Sequence, residues 1–583
     1  MCGIAGVVSP EAGRHLSAVR AMLRALSHRG PDGAGTVMFD GCVLGAVRLA
    51  VVDVDDGAQP MVGPNRAVVF NGEVYGHRRL RAGLDWSFAT DCDTEVVLAL
   101  SDRHGDGLAV NLPGMFALAV WDDARRQLYC ARDRFGEKPF YWSRGPDGEF
   151  VFASEVGALL ASGLVSADVD RSALAHYVRH SYVHPSTSIY AGVEVLPPAH
   201  ELTVERGRVR TRRYWDLQPV RRHIDPTEAA DTLRHLLDGA VADQLEADVP
   251  VGAFLSGGVD SSTVVALAAA RHPAIHTFSM RVGTTADETP FAEAQAARHG
   301  TTHHSIATDG KDLVEVLKSL PKVYGEPFAD SSAVPTYLLS RAAREHVKVA
   351  LTGDGADELL GGYLFWARGF LRDTGLLQSP AGPQARWSLR SRRLSRSDRL
   401  TRAYTGFRSY VDDAQLRALA LPSATDGNID FSRYASGRLM DLLRFDAEGY
   451  LPGDILVKTD RASMAHGLEL RSPFLDTTVA EFCLSLPDEL NVDDHAEKLV
   501  LRAAFEEEWA PAIRRRDKQG FGVPMDDWLA LPTVRTLIED IVSDRHSALF
   551  DLVAPEGVAP LFASGGQAAW TMLMLALWAA EAT

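Results

Sequence analysis

Apolar residues in 2–212 cluster in short runs, IAGVV, CVLGAVRLAVVDV, RAVVFNGEVY, FALAVWD, QLYCARD and EFVFAS, with Gly, Asp and Pro between them. Short apolar runs broken by turn formers predict strands joined by tight turns, here two stacked and mostly antiparallel sheets. Helical segments are expected only near 15–27 and 93–104. The pattern changes near Tyr214. Asp225, Pro226 and Glu228 read as an N-cap, a first-turn proline and a capping-box acid. Leu233, Leu236, Leu237 and Val241 follow at helical spacing. Strand-like VPVGAFLS (249–256), IHTFSMRV (275–282) and VKVALTG (347–353) then alternate with helices, such as one over 287–299. That alternation predicts a parallel, doubly wound sheet. Beyond about 400 the pattern is mainly helical. A chain of 583 residues is too long for one core, and two domains are expected, 2–212 and 220–583.

Composition narrows the partners. A formal charge of −17 argues against nucleic acid or an anionic membrane surface. The five cysteines, Cys2, Cys42, Cys92, Cys130 and Cys483, are scattered without a CxxC pair, so neither a disulfide framework nor a zinc site is indicated. The N-terminus lacks a secretion-signal pattern, and AWTMLMLALWAA (569–580) is too short to span a bilayer, so it reads as a buried terminal helix. A cytoplasmic location is expected. RWSLRSRRLSRSDRLTR (386–402) carries seven arginines and reads as a solvated face. Lysines are few, which makes each one worth inspecting.

Two loops carry candidate phosphate chemistry. SGGVDSS, Ser256 to Ser262, lies between a buried strand and a helix start. Gly257 and Gly258 let backbone approach an anion, the helix N-terminus offers unpaired amides, and Ser256, Ser261 and Ser262 can add hydroxyls. Asp260 would repel bare phosphate, so an acid there implies a bridging magnesium ion. The segment lacks the GxxxxGK[ST] pattern and resembles the loop of enzymes that cleave ATP between its α and β phosphates. LTGDGADELLGGY (351–363) follows another buried strand, so Asp357 could face Asp260 and share the metal. At the other end of the chain, Cys2 directly follows the initiator and reads as a strand residue, a targeting signal or a nucleophile.

The motifs taken in order resemble a known family. MCGIAGVV, SHRGPDG (27–33), RLAVVD (48–53), FNGEVY (70–75) and CDTEV (92–96) are similar to a class II glutamine amidotransferase domain. SGGVDSS, EPFADSSAVPTY (326–337), LTGDGADELLGGY, VKTDRASMAHGLELRSPFLD (457–476), EKLVLR (497–502) and KQGFGVP (518–524) resemble the ATP-dependent synthetase domain of glutamine-hydrolysing asparagine synthetases. The resemblance implies an Ntn-type αββα sandwich followed by a PP-loop, adenine nucleotide alpha hydrolase-like domain with extra helices. Coverage is thinnest over 364–440.

For the first domain it implies that Met1 is removed, leaving Cys2 as an N-terminal nucleophile whose own amine can take the thiol proton. Asn71 and the Gly72 amide would stabilise the oxyanion. Glutamine would be held by Arg48, Val51, Val52, Asn71, Gly72, Glu73 and Asp93, with Arg48 on its carboxylate and Asp93 and Glu73 on its ammonium. His28 and Arg29 read as loop-shaping. For the second domain it implies an acyl-adenylate, with Leu255, Ser256, Gly257, Gly258, Asp260, Ser261, Met280, Thr352 and Gly353 around ATP, and Asp260 and Asp357 on Mg2+. Lys498 would be the essential lysine, and Lys458 and Lys518 structural ion-pair partners. Four positions depart from the family's usual residues. Asp354 stands where some members carry Glu as acid–base group, Gly76-His77 replaces Asn-Tyr, and Cys92 replaces Ser. The expected reaction takes aspartate, glutamine and ATP to asparagine, glutamate, AMP and pyrophosphate. The alternative is the same chemistry on another carboxylic acid in specialised metabolism. Partners would be small molecules, and a homodimer is the family's expectation.

Overall fold

The computed structural model describes residues 1–217, 223–281, 287–307, 313–363, 408–423, 439–493, 495–514, 516 and 523–582. The arginine-rich stretch 386–402, Lys518 and most of 364–440 lie outside the described residues.

Twelve strands come first: β1 (Cys2–Val8), β2 (Gly33–Phe39), β3 (Cys42–Arg48), β4 (Met61–Val62), β5 (Arg66–Glu73), β6 (Met115–Asp122), β7 (Gln127–Arg132), β8 (Tyr141–Arg144), β9 (Phe150–Ala153), β10 (Val193–Val195), β11 (His200–Glu205) and β12 (Arg208–Arg213). They form two antiparallel sheets, ordered β10-β8-β9-β1-β3-β2 and β12-β11-β7-β6-β5-β4. Alternation along β1 shows why its run is apolar throughout. Ile4 points between the sheets, among Leu44, Val69, Trp121 and Phe152. Ala5 and Val7 point outward against Val19, Met22 and Leu23 of the helix Leu16–Ala25. The outer face of the second sheet buries Val68, Phe70 and Leu118 under Val96, Val97 and Leu100 of the helix Asp93–His104. The layering is therefore helix, sheet, sheet, helix, and a sheet covered on both faces reads as continuous apolar sequence.

The remaining strands are β13 (Val251–Phe254), β14 (His276–Arg281), β15 (Thr302–Ala307), β16 (Val349–Leu351) and β17 (Glu469–Arg471). They make one parallel sheet ordered β15-β14-β13-β16-β17. The helix Pro226–Gln244 begins where expected: the Asp225 carboxylate accepts from the N–H groups of Thr227 and Glu228, the forward half of a capping box. Leu233, Leu237 and Val241 are buried, whereas Leu236 is only partly covered. The last helix, Gly566–Ala582, is buried from Ala568 to Ala579. No helix among the described residues is long and apolar enough to cross a membrane. All five cysteines are reduced and buried.

A buried ionic knot joins the two halves of the chain. Arg29, fully enclosed, donates from Nε to the Cys2 carbonyl at 3.1 Å. Its terminal nitrogens reach Asp460 at 2.8 and 3.0 Å and Glu155 at 2.8 Å. Arg461 adds a second guanidinium, 3.0 Å from Glu155. Burial alone would raise the Glu155 pKa, but His28, Arg461 and Arg29 hold it well below the usual carboxylate range.

Changing Glu155 to Gln leaves two buried guanidiniums with one fewer counter-charge, an expected loss of about 3–5 kcal/mol at neutral pH in chemical denaturation. A carboxylate with a depressed folded pKa contributes fully above its unfolded value, near pH 4.5, and progressively less as pH falls below it. The variant should therefore lose stability less steeply on acidification. An unchanged midpoint would mean that Asp460 alone balances the knot.

Candidate active site

Cys2 opens β1 directly opposite Arg48, the last residue of β3, while β5 in the facing sheet ends in Asn71, Gly72 and Glu73. The Cys2 N–H donates to Asn71 Oδ1 at 3.1 Å. The other end of that amide, Asn71 Nδ2, is buried without a hydrogen-bond partner. An unsatisfied buried donor costs about 1–3 kcal/mol, so its position beside the thiol calls for an incoming acceptor. A Cβ on Gly72 would stand 2.8 Å from Phe116 Cα, which is why β5 carries glycine where it meets β6. Gln59 Nε2 lies 3.5 Å from Cys2 Sγ. Burial pushes the thiol pKa up, and the chain's α-amine opposes that rise.

The anticipated glutamine contacts are grouped around this point. Arg48 donates to the carbonyls of Val54 and Val52 at 2.8 and 3.0 Å, so it grips the loop following β3. Asp93 Oδ2 accepts from the Val74 N–H at 3.0 Å. Glu73 lies 3.1 Å from Arg471. Burial raises the pKa of both carboxyls, and Asp93 adds to the rise at Glu73. Val51 and Val52 are buried with Met1, Tyr75 and Met115 against Val349 and Met464 from the C-terminal half. The Met1 amine forms a buried ion pair with Glu469, whose other oxygen accepts from Arg471 Nε at 2.7 Å. Although burial works against ionisation, the amine and Arg471 pull Glu469 down to about 2.

The second centre lies at the C-terminal ends of β13 and β16. Gly257 has φ +75°, and a Cβ there would come within 2.6 Å of Phe291 Cβ. The Ser256 N–H donates to Ser261 Oγ at 3.2 Å, curling the loop. A Cβ on Gly353 would lie 2.9 Å from Ser261 N, so the two glycine-containing loops touch. Lys498 Nζ sits 2.6 Å from both Asp260 oxygens and 2.5 Å from Asp357 Oδ1. Lys498 is fully buried in left-handed backbone, φ +55°, a conformation costing a non-glycine residue about 1–2 kcal/mol.

These loops border a cavity of about 380 Å³ whose walls include Ser256, Gly257, Gly258, Asp260, Ser261, Thr352, Gly353, Asp354 and Asp357. Leu255 and Met280 line a separate recess of about 20 Å³ that shares Ser256, Glu288 and Leu339 with the cavity. Lys498 stands behind its two acids.

A family model described as asparagine synthase matches residues 232–580, and one for a glutamine amidotransferase domain matches residues 1–215. The chain belongs to the glutamine-hydrolysing asparagine synthetase family. A Mycobacterium tuberculosis H37Rv relative, provisionally named a glutamine-hydrolysing asparagine synthetase, is 33% identical over 99% of this chain and 97% of its own. Glutamine-hydrolysing asparagine synthetase 1 of Bacillus subtilis (strain 168) is 30% identical over 99% and 96%.

In this asparagine synthetase-family chain the cavity holds charged residues that the motifs did not single out. Asp330 pairs with Lys458 at 2.9 Å, so Lys458 is an ion-pair partner as expected and also a wall residue. Glu358 accepts from the Tyr363 hydroxyl at 2.8 Å. Burial, then Asp357, pushes Glu358 up to about 7. Burial likewise raises Asp354, against the pull of Lys458. Glu358 was already visible as the last residue of GDGADE, but its burial was not.

Replacing Asn71 with Ala removes the unpartnered donor beside Cys2. Glutamine hydrolysis should fall about 10²–10³-fold in kcat with little change in KM. A change confined to KM would place Asn71 on the substrate's ground state instead.

Proposed function

We propose that this chain hydrolyses glutamine at Cys2 and uses the ammonia to amidate aspartate activated by ATP. The observation that carries this reading is the convergence of Asp260 and Asp357, two residues of the cavity wall, on Lys498. In the reaction, removal of Met1 turns the Cys2 nitrogen into an amine that takes the thiol proton. The thiolate attacks the glutamine amide, and the oxyanion is received by Asn71 Nδ2 and the Gly72 N–H. Arg48 faces the substrate carboxylate, and Asp93 with Glu73 its ammonium. The adduct collapses, breaking its C–N bond and expelling ammonia with the proton held by the Cys2 amine, and water then releases glutamate from the resulting thioester.

In the synthetase half, the SGGVDSS backbone and hydroxyls hold the ATP phosphates. Asp260 and Asp357, both within reach of one ammonium, form a hard-oxygen pair that fits Mg2+ and would hold the ion, which would neutralise charge on the departing pyrophosphate. The acceptor carboxylate attacks the α-phosphorus, ammonia attacks the resulting acyl-adenylate, and AMP leaves. Lys498, held in place by strained backbone, offsets the phosphate charge. Asp354 receives a proton from the incoming amine. Asp330, Asp354 and Glu358 also line the cavity and give it an acidic character that suits an acceptor bearing an ammonium group, as aspartate does. The mixed apolar cluster around Val52, Met115, Val349 and Met464 spans the two halves, and a route for ammonia along it would be poor in proton donors.

Cys2→Ala should abolish glutamine use and preserve amidation with ammonium salts. Lys498→Ala should do the reverse, silencing pyrophosphate release while glutamine hydrolysis continues. Loss of both activities in either variant would contradict two separable centres. A panel of carboxylic acids assayed for AMP formation tests the acceptor: aspartate should be turned over fastest, and an inert aspartate beside another reactive acid would replace it.

A further inference from the structure

Three histidines from separate segments meet at the edge of the parallel sheet opposite the phosphate loop. His276 is the first residue of β14, His304 lies on β15 across from Phe278, and His346 precedes β16. The phosphate loop follows the last residue of β13, so it occupies the other ends of these parallel strands. His276 Nδ1 lies 2.9 Å from His304 Nε2, with the rings 8° from coplanar and their centroids 5.2 Å apart, an edge-to-edge arrangement. His346 stacks on His304 with centroids 4.2 Å apart. One nitrogen from each of the three lies within 4.8 Å of the others. Buried Phe278 backs the group, 5.0 Å from the His304 ring, while His346 is exposed.

We propose that His276, His304 and His346 bind one divalent transition-metal ion of the zinc type. Neutral imidazole nitrogens suit zinc, copper or nickel, whereas magnesium and calcium want oxygen ligands. Zinc holds nitrogen at about 2.0–2.1 Å in tetrahedral geometry, which places ligand nitrogens roughly 3.4 Å apart. The His276–His304 contact is shorter than that by about half an ångström, a gap that small side-chain rotations open. The present N–H···N bond shows that the two ring edges already face each other, and the ion takes the place of that proton, which moves to the donor ring's other nitrogen. His346, on the solvent side, swings off its stack to become the third ligand, and water completes the shell. Burial, followed by His346 and His276, lowers the His304 pKa, which keeps its lone pair available. The ion would tie β14, β15 and the segment entering β16 together, and takes no part in amidation.

The test uses the full-length chain stripped with chelator and titrated with zinc chloride alone, with bound zinc counted by atomic absorption after dialysis. Thiols and acids elsewhere also take zinc, so the quantity read is the difference between wild type and variants. Wild type should retain one zinc per chain more than His346→Ala or His304→Ala at micromolar zinc, and only wild type should gain in thermal midpoint with zinc. His346 is exposed, so its variant decides the matter even where His304→Ala folds poorly. Equal zinc content in wild type and His346→Ala would overturn the proposal.

Discussion

Arg29 holds both halves of the molecule in register with the nucleophile. Its Nε binds the Cys2 carbonyl, and its other nitrogens bind Asp460 of the C-terminal half and Glu155 of the N-terminal half. A guanidinium stays charged at any working pH and offers a rigid fork of donors, so a buried position of this kind suits arginine and not lysine. Burying such a charge is unfavourable unless every partner is in place. The knot therefore specifies one way of docking the sandwich on the parallel sheet. The Cys2 carbonyl, Asp460 and Glu155 keep their relation only in that arrangement.

The phosphate-binding half shows the same logic with signs exchanged. Asp260 and Asp357 would repel one another across the loop mouth, and Lys498 reconciles them. That lysine sits in left-handed backbone at the start of the helix Leu499–Phe505, so local strain is spent to aim one ammonium. Gly353, where a Cβ would lie 2.9 Å from Ser261 N, brings the two loops close enough for a single cation to serve both acids.

Much of this was legible in the chain itself, for physical reasons. Sheets covered on both faces leave continuous apolar runs, so β1, β5, β6 and β7 were plain. Asp225 announced its helix because capping is local chemistry. The loops after β13 and β16 were legible because their glycines and acids are adjacent in sequence. β17 was not, since its residues Glu, Leu and Arg read as polar surface although all three are buried. Arg29 looked like a loop-shaping residue because its partner lies 431 positions away. The role of Lys498 in bridging two loops, and the wall positions of Asp330 and Glu358, likewise depend on long-range folding that no spacing rule records. The three histidines are widely separated in sequence and come together only through parallel strand pairing.

β17 brings these observations together. It is an edge strand of the parallel sheet, yet its charged side chains are not on a surface: Glu469 pairs with Arg471, and Arg471 meets Glu73, one residue beyond the Asn71-Gly72 pair. Cutting the chain between its halves would strand two ionised groups on a margin shaped to be covered, and would strip the amidase pocket of its rear support. Dissecting this protein into independent modules is thus disfavoured by its construction, and altering one half's specificity calls for edits that leave that three-residue seam untouched.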